Sequence, residues 1–326
     1  MKTPVSESVS HTVAWDGRRY SSPSRVPVVT VARPKGLYTS SPSTGSLDNV
    51  ACRGGLVRTE WVNLETAPGV FNWTTLDSRV ATVTSRGKPW SLAVLGGTVG
   101  CPVWLSAVAT QRYTIKFRTV SYIIAAGWDV YYLQRVQALA QALAARYGND
   151  PLLKLVYVTQ ATGNGVEGHF NGNTSAELTA QGFTDTKWID CSKAAARHFN
   201  NAFQTKSVAF EVHKILDTHT IPMQIINDLN IESGGKIGAG IWWIKGNMLE
   251  QTGLIDALYD YPGHIYAQPI GNSTDTTKFS PASTWLNILT QAQDLGCTYV
   301  EAWNQEFEQN TFPAEFASYN SWCDSN

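Results

Sequence analysis

Apolar positions recur along this chain in two rhythms. Short runs dense in Val, Ile, Leu, Trp and Tyr, the signature of strands buried on both faces, alternate with longer stretches in which apolar residues return every three or four positions. The runs predict strands at Val28–Ser40, Gly55–Trp61, Trp90–Gly97, Leu155–Gln160, Ser207–His213, Ile237–Lys245, His264–Gly271 and Thr298–Trp303. Helical spacing predicts helices over Thr75–Arg86, Tyr131–Tyr147, Trp188–Phe203, Ile221–Asn230, Asn247–Tyr259, Ser283–Leu295 and Pro313–Trp322. The clearest is Tyr131–Tyr147, where Leu133, Val136, Leu139, Ala140 and Leu143 form one stripe that Gly148 and Pro151 bring to an end. Residues 1–27, rich in Ser, Pro and charge, read as an N-terminal arm; 28–326 read as one domain.

Strand and helix alternating eight times predict an α/β fold of the (β/α)₈ barrel type. The rival is a doubly wound sheet of the dinucleotide-binding kind. It requires G-x-G-x-x-G after the first strand, and the sequence has none there.

A barrel gives positions meaning, because its chemistry sits where strands end and βα loops begin. Those ends carry Tyr38, Glu60 and Trp61, the segment after Gly97, Gln160 through His169, Glu211 and His213, Trp243 and Lys245, Gln268, and Glu301 with Trp303. Aromatic rings and carboxylates dominate, not the Lys, Arg and glycine turns of a phosphate site. The stretch Leu155–Phe170 stands out: a β-branched run empties into a Gly/Asn/Thr loop with one carboxylate, Glu167, beside His169.

Composition narrows the chemistry further. The 326 residues include 12 Trp and 13 Tyr, ring faces suited to stacking on sugars as well as to filling a core. A formal net charge of -1 gives no pull on polyanions, so neither nucleic acid nor an anionic membrane is an expected partner. No apolar run is long enough to span a bilayer and the N-terminus has no apolar leader; an extracellular or particle-associated setting is nevertheless expected from the sugar chemistry. The five cysteines are widely spaced, with no Cys/His cluster at metal spacing, and leave one disulfide, two or none open. Neither metal nor cofactor is expected. G-x-S-x-G and H-E-x-x-H are both absent, which removes the motifs of serine hydrolases and zinc peptidases.

The segment Glu60–Asp77 resembles the second-strand region of (β/α)₈ glycoside hydrolases of the β-galactosidase and endo-glycanase kind. There W-x-x-x-E-x-x-x-G-x-[FY]-x-[WF]-x-x-[LI]-D recurs, matched here by Trp61, Glu65, Gly69, Phe71, Trp73, Leu76 and Asp77. Pro102–Leu105 is similar to the P-x-W-L after the third strand of such barrels. The resemblance implies a structural Glu65 and a general acid at the end of strand four, the position of Glu167. Val166 stands where those enzymes have Asn before the acid, and seven residues separate Glu167 from the apparent strand end. The resemblance also implies a nucleophile ending strand seven, but that strand offers Gln268. The substitute is Glu301 on strand eight. Glu211 is the alternative, with a buried ion pair to Arg58 or Lys245 as its plainer role.

The resulting expectation is a glycosidase acting on a poly- or oligosaccharide, with Glu167 as acid or acid/base and Glu301 as nucleophile or base. Trp61, Trp104, Trp243 and Trp303 would be sugar platforms, and His169, His213 and Gln268 hydroxyl partners. The competing expectation is a non-catalytic carbohydrate-binding barrel, virion- or surface-associated, motivated by the missing acid on strand seven.

Overall fold

The computed structural model describes residues 31–275, 277–278 and 284–326. Eight parallel strands close into a barrel: β1 (Gly36–Thr39), β2 (Gly54–Glu60), β3 (Trp90–Leu95), β4 (Leu153–Tyr157), β5 (Ser207–Glu211), β6 (Ile237–Ile244), β7 (Ile265–Pro269) and β8 (Tyr299–Ala302). Each pairs with its neighbours in sequence, and β1 meets β8 in the register Tyr38 opposite Glu301.

Among the helices outside are α1 (Thr74–Thr84), α2 (Val130–Tyr147), α3 (Asp185–Ala202), α4 (Thr220–Glu232), α5 (Leu254–Tyr259), α6 (Trp285–Asp294) and α7 (Pro313–Ser325). The α2 stripe buries Val136, Leu139, Ala140 and Leu143 against the wall, and Asp129 caps its N-terminus by accepting the N–H of Tyr132. Among the described residues no helix is long and apolar enough to cross a membrane.

Several expected boundaries move. The first strand spans only Gly36–Thr39; of the expected Val28–Ser40, positions 28–30 lie outside the described residues, as does the arm 1–27, and residues 31–35 form no strand. Pro34, which has no N–H to give a ladder, sits in that unpaired stretch. The helix expected over Asn247–Tyr259 forms only from Leu254, after Gly253 at φ 84°. The helix expected from Ser283, itself outside the described residues, starts at Trp285, where Thr284 accepts the N–H of Asn287.

Side chains alternate across the wall with period two. Tyr38, Leu56, Ala93, Leu155, Tyr157, Ala209, Trp242, Tyr266 and Tyr299 pack inside the barrel, while Val57, Leu92, Val94, Val156, Val208 and Phe210 join the larger core beneath the helices. The same parity turns Arg58 and Glu60 inward on β2, Glu211 on β5, Gln268 on β7 and Glu301 on β8.

Among the elements not expected is a hairpin after β3. Residues 98–128 contain an antiparallel hairpin, Arg112–Phe117 with Val120–Ala125, turning at Arg118 with φ 58°. It leans on the loop after β4: Lys116 N–H donates to Asn173 Oδ1 at 2.8 Å, Lys116 Nζ pairs with Glu177 at 2.6 Å, and Tyr113 donates its hydroxyl to the Ala161 carbonyl.

Candidate active site

The loop after β4 is fixed by backbone before any side chain acts. Gly165, at φ 92°, lies so close to the loop after β3 that a Cβ there would come within 2.0 Å of Gly97 N, and a Cβ on Gly97 would come within 2.4 Å of Gly165 N. Only glycine allows two backbones to approach this closely. Thr98 donates its N–H and hydroxyl to Gly163 O at 3.1 and 2.8 Å, and Gln160 N–H donates to Gly165 O at 2.8 Å. The Gln160 amide reaches across to donate to Val166 O and Glu211 O at 2.6 and 2.9 Å. Folded back in this way, the loop returns Glu167 to the strand ends although it lies ten residues beyond Tyr157, the last residue of β4.

Asn164 then sets Glu167. Its Oδ1 accepts the N–H of Val166 and Glu167 at 2.9 and 2.8 Å, and its amide donates to Glu167 Oε2. His169 Nε2 lies 3.9 Å from that same oxygen. Burial works to raise the Glu167 carboxyl, but His169, His213 and Arg58 outweigh it and hold the group below its ordinary range. With 23% of its side chain exposed, Glu167 is the one of the three candidate carboxylates that meets solvent.

Glu211 is enclosed. Oε2 accepts the N–H of Gly168 at 2.7 Å, Oε1 accepts the N–H of Trp242 at 3.1 Å, and His213 Nδ1 sits 2.7 Å from Oε1. Burial and the Glu167 charge raise its pKa well above the ordinary value, with the two backbone donors opposing. Burial and the charge of His169 push His213 down to about 3, so its ring is neutral at physiological pH. His169 and His213 stack edge to face, 4.8 Å between centroids.

Glu301 lies inside the barrel with no exposed surface. Tyr157 and Tyr299 donate their hydroxyls to Oε1 at 2.9 and 2.5 Å. Oε2 has no partner among the described residues. Burial raises the group to about 7 against the pull of both phenols and Arg58. Two donors on one oxygen and none on the other suit a carboxyl that carries its proton on Oε2.

Two cavities open at this end of the strands. One of about 320 Å³ is lined by Ser40, Ser41, Leu56, Arg58, Glu60, Arg79 and Leu95. The other, about 360 Å³, is lined by Phe170, Asn171, Asn173, Lys214, Asp217 and Gln251, so it borders the residues that follow His169 and His213.

The expected aromatic platforms divide. Trp61 and Trp243 are buried outside the wall: Trp61 donates to Glu65 Oε2 at 2.7 Å and Trp243 to Val212 O at 2.7 Å, so neither presents a face to a ligand. Both are one residue out of phase with the inward parity, which chooses Glu60 and Trp242 instead. Trp104 and Trp303 are half-buried and anchored through their indole N–H to Glu65 O and Pro269 O, each at 3.1 Å. Gln268 points inward with its Oε1 buried and unpartnered among the described residues. Glu65 is structural: it is buried in an ion pair with Arg135 and accepts the N–H of Gly69 at 2.7 Å.

Arg58 is the functional candidate the sequence reading passed over. It faces inward at the mouth, makes no side-chain hydrogen bond or ion pair among the described residues, and feels the charges of Glu301, Glu167 and Glu60. The alternation Leu56, Arg58, Glu60 was its signal. Glu211 pairs with neither Arg58 nor Lys245; Lys245 lies 3.5 Å from Glu250 instead. Glu167, His169 and His213 together place three metal-ligating atoms within 4.8 Å of one another.

No family model matches the chain, and no curated protein matches it by sequence. Solved structures share its fold, and they are glycoside hydrolases built on the same eight-stranded barrel. The catalytic domain of the β-amylase from Paenibacillus polymyxa matches with a TM-score of 0.58 at 10% identity, over 89% of this chain and 98% of that one. A xylanase from Paenibacillus barcinonensis matches with a TM-score of 0.51 at 14% identity, over 82% and 83%. A β-galactosidase from Marinomonas ef1 matches with a TM-score of 0.52 at 11% identity, over 82% of this chain and 53% of that one.

Proposed function

We propose that this protein is a glycoside hydrolase acting on a poly- or oligosaccharide at the C-terminal mouth of its barrel. The observation that carries the reading is a pair of carboxyl groups pushed in opposite directions: Glu167 is held below its ordinary range, and Glu301 is raised to about 7. Glycoside hydrolysis needs one carboxylate ionised and one carboxyl protonated, and opposed environments assign those roles. The roles are therefore the reverse of the sequence expectation. Glu167, partly exposed, attacks the anomeric carbon or activates water; Glu301, with a free oxygen, donates the proton. Glu211 has both oxygens occupied by N–H groups and acts as a positioning residue. Trp104 and Trp303 supply ring faces, and His169 and Gln268 bond hydroxyls.

A second reading, a carbohydrate-binding barrel without turnover, is favoured by two observations: Glu301 has no exposed surface, and the last inward position of β7 is Gln268 rather than an acid. The test is release of reducing ends from a panel of plant, algal and microbial polysaccharides by wild type, Glu167→Gln and Glu301→Gln. Turnover by wild type that falls at least about 100-fold in both variants supports the hydrolase. Binding without release, retained in both variants, supports the binding barrel.

A further inference from the structure

We propose that Glu167, His169 and His213 form a binding site for a divalent first-row transition-metal cation, with Glu211 as the residue that orients His213. The donor set is two imidazoles and one carboxylate, converging from the loop after β4 and the end of β5, with ligating atoms within 4.8 Å of one another. Zn²⁺ and its neighbours take such ligands, often with positions left open for water or a small molecule.

Three further features fit a metal. Glu211 lies 2.7 Å from His213 Nδ1, the carboxylate–imidazole contact that fixes ring orientation and leaves Nε2 free to ligate. Glu211 is itself held by the N–H groups of Gly168 and Trp242, so the outer shell is rigid. The partly exposed side of Glu167 gives an entry path and an open coordination position.

Closing the site takes small movements. Metal–ligand bonds of about 2.0–2.2 Å place neighbouring ligand atoms about 3.4 Å apart, so the widest present separation shortens by about 1.4 Å through side-chain rotation. Two contacts are given up: the Asn164 amide on Glu167 Oε2, and the Asn171 N–H that reaches His169 Nδ1 at 3.2 Å. A cation here occupies the carboxylate assigned above to attack on the sugar, so metal binding would inhibit hydrolysis.

The test is calorimetric titration of Zn²⁺ into chelator-treated, dialysed protein, alongside His169→Ala and His213→Ala variants whose fold is checked by circular dichroism. The expected result is one equivalent bound by wild type, weakened at least about 100-fold in each variant, with Glu211→Gln weakening it about 10- to 100-fold. Co²⁺ adds a readout that unfolding does not imitate: a visible d–d band on wild type that is absent from either histidine variant. No saturable binding to wild type overturns the proposal, as does wild-type affinity in His169→Ala and His213→Ala. Because binding is read without substrate, its failure and the failure of the glycosidase reading are separate results.

Discussion

The Glu211 carboxylate accepts the backbone N–H of Gly168 at 2.7 Å, so the end of β5 holds the loop that carries Glu167 out of β4. Replacing Glu211 with Gln turns an amide NH₂ toward the N–H of Gly168 or of Trp242, both donors, at a position with no exposed surface. Glu211→Gln is expected to lower stability by about 3 kcal/mol, read from urea unfolding at constant m-value. A variant as stable as wild type would remove Glu211 from its positioning role.

Glu301 makes stability depend on pH. Its folded-state pKa, about 7, lies above the ordinary 4.5, so between those values the native state binds more protons than the unfolded chain. Stability from this group is complete below about pH 4.5 and is lost as pH rises through about 7, amounting to about 3 kcal/mol. Unfolding free energies at pH 5 and pH 8 should diverge by less in Glu301→Gln than in wild type. If Glu301 donates the catalytic proton, kcat/KM also falls above about pH 7.

Two glycines at positive φ should respond very differently to alanine. Gly165 has backbone at 2.0 Å from where a Cβ would stand, whereas Gly69, at φ 78°, has nothing within 4 Å. Gly165→Ala is expected to cost about 3 kcal/mol and to displace Glu167, while Gly69→Ala should cost about 1 kcal/mol with turnover unchanged. Equal costs would show that the close approach of the two loops is not maintained in solution.

Glu65 and Arg135 should be strongly coupled, because Glu65 is fully buried and Arg135 nearly so. Arg135→Met strands a buried carboxylate and is expected to cost about 3 kcal/mol. Adding Glu65→Gln should cost less in that background than alone, by at least about 1 kcal/mol in a double-mutant cycle. Additive effects would mean that the Trp61 and Gly69 donors satisfy Glu65 without the guanidinium.

The barrel was legible because buried parallel strands announce themselves: Leu155–Gln160 and Ile237–Lys245 are runs no surface helix would carry. The position of Glu167 followed from strand order alone. Its surroundings did not, since they depend on Gly97 meeting Gly165 and on Asn164 turning back to Glu167, contacts between loops with no periodicity to read. The choice of Trp61 and Trp243 went astray for a different reason. Residue type singles out the aromatic side chains at strand ends, whereas the two-residue alternation puts Arg58, Glu60 and Trp242 on the inward side. The histidine–carboxylate cluster was invisible because Glu167 and His213 are neighbours only across the ends of β4 and β5.

All five cysteines, Cys52, Cys101, Cys191, Cys297 and Cys323, are buried thiols, and burial raises the pKa of each. A thiol held away from solvent and in its unreactive form takes up an alkylating tag only when its surroundings part. They stand beside β2, after β3, on α3, before β8 and on α7. The untouched chain thus carries five timers, three near the seam where β8 meets β1 and β2 and two between β3 and α3, and the order in which they start under mild denaturant would reveal which of these two parts of the barrel opens first.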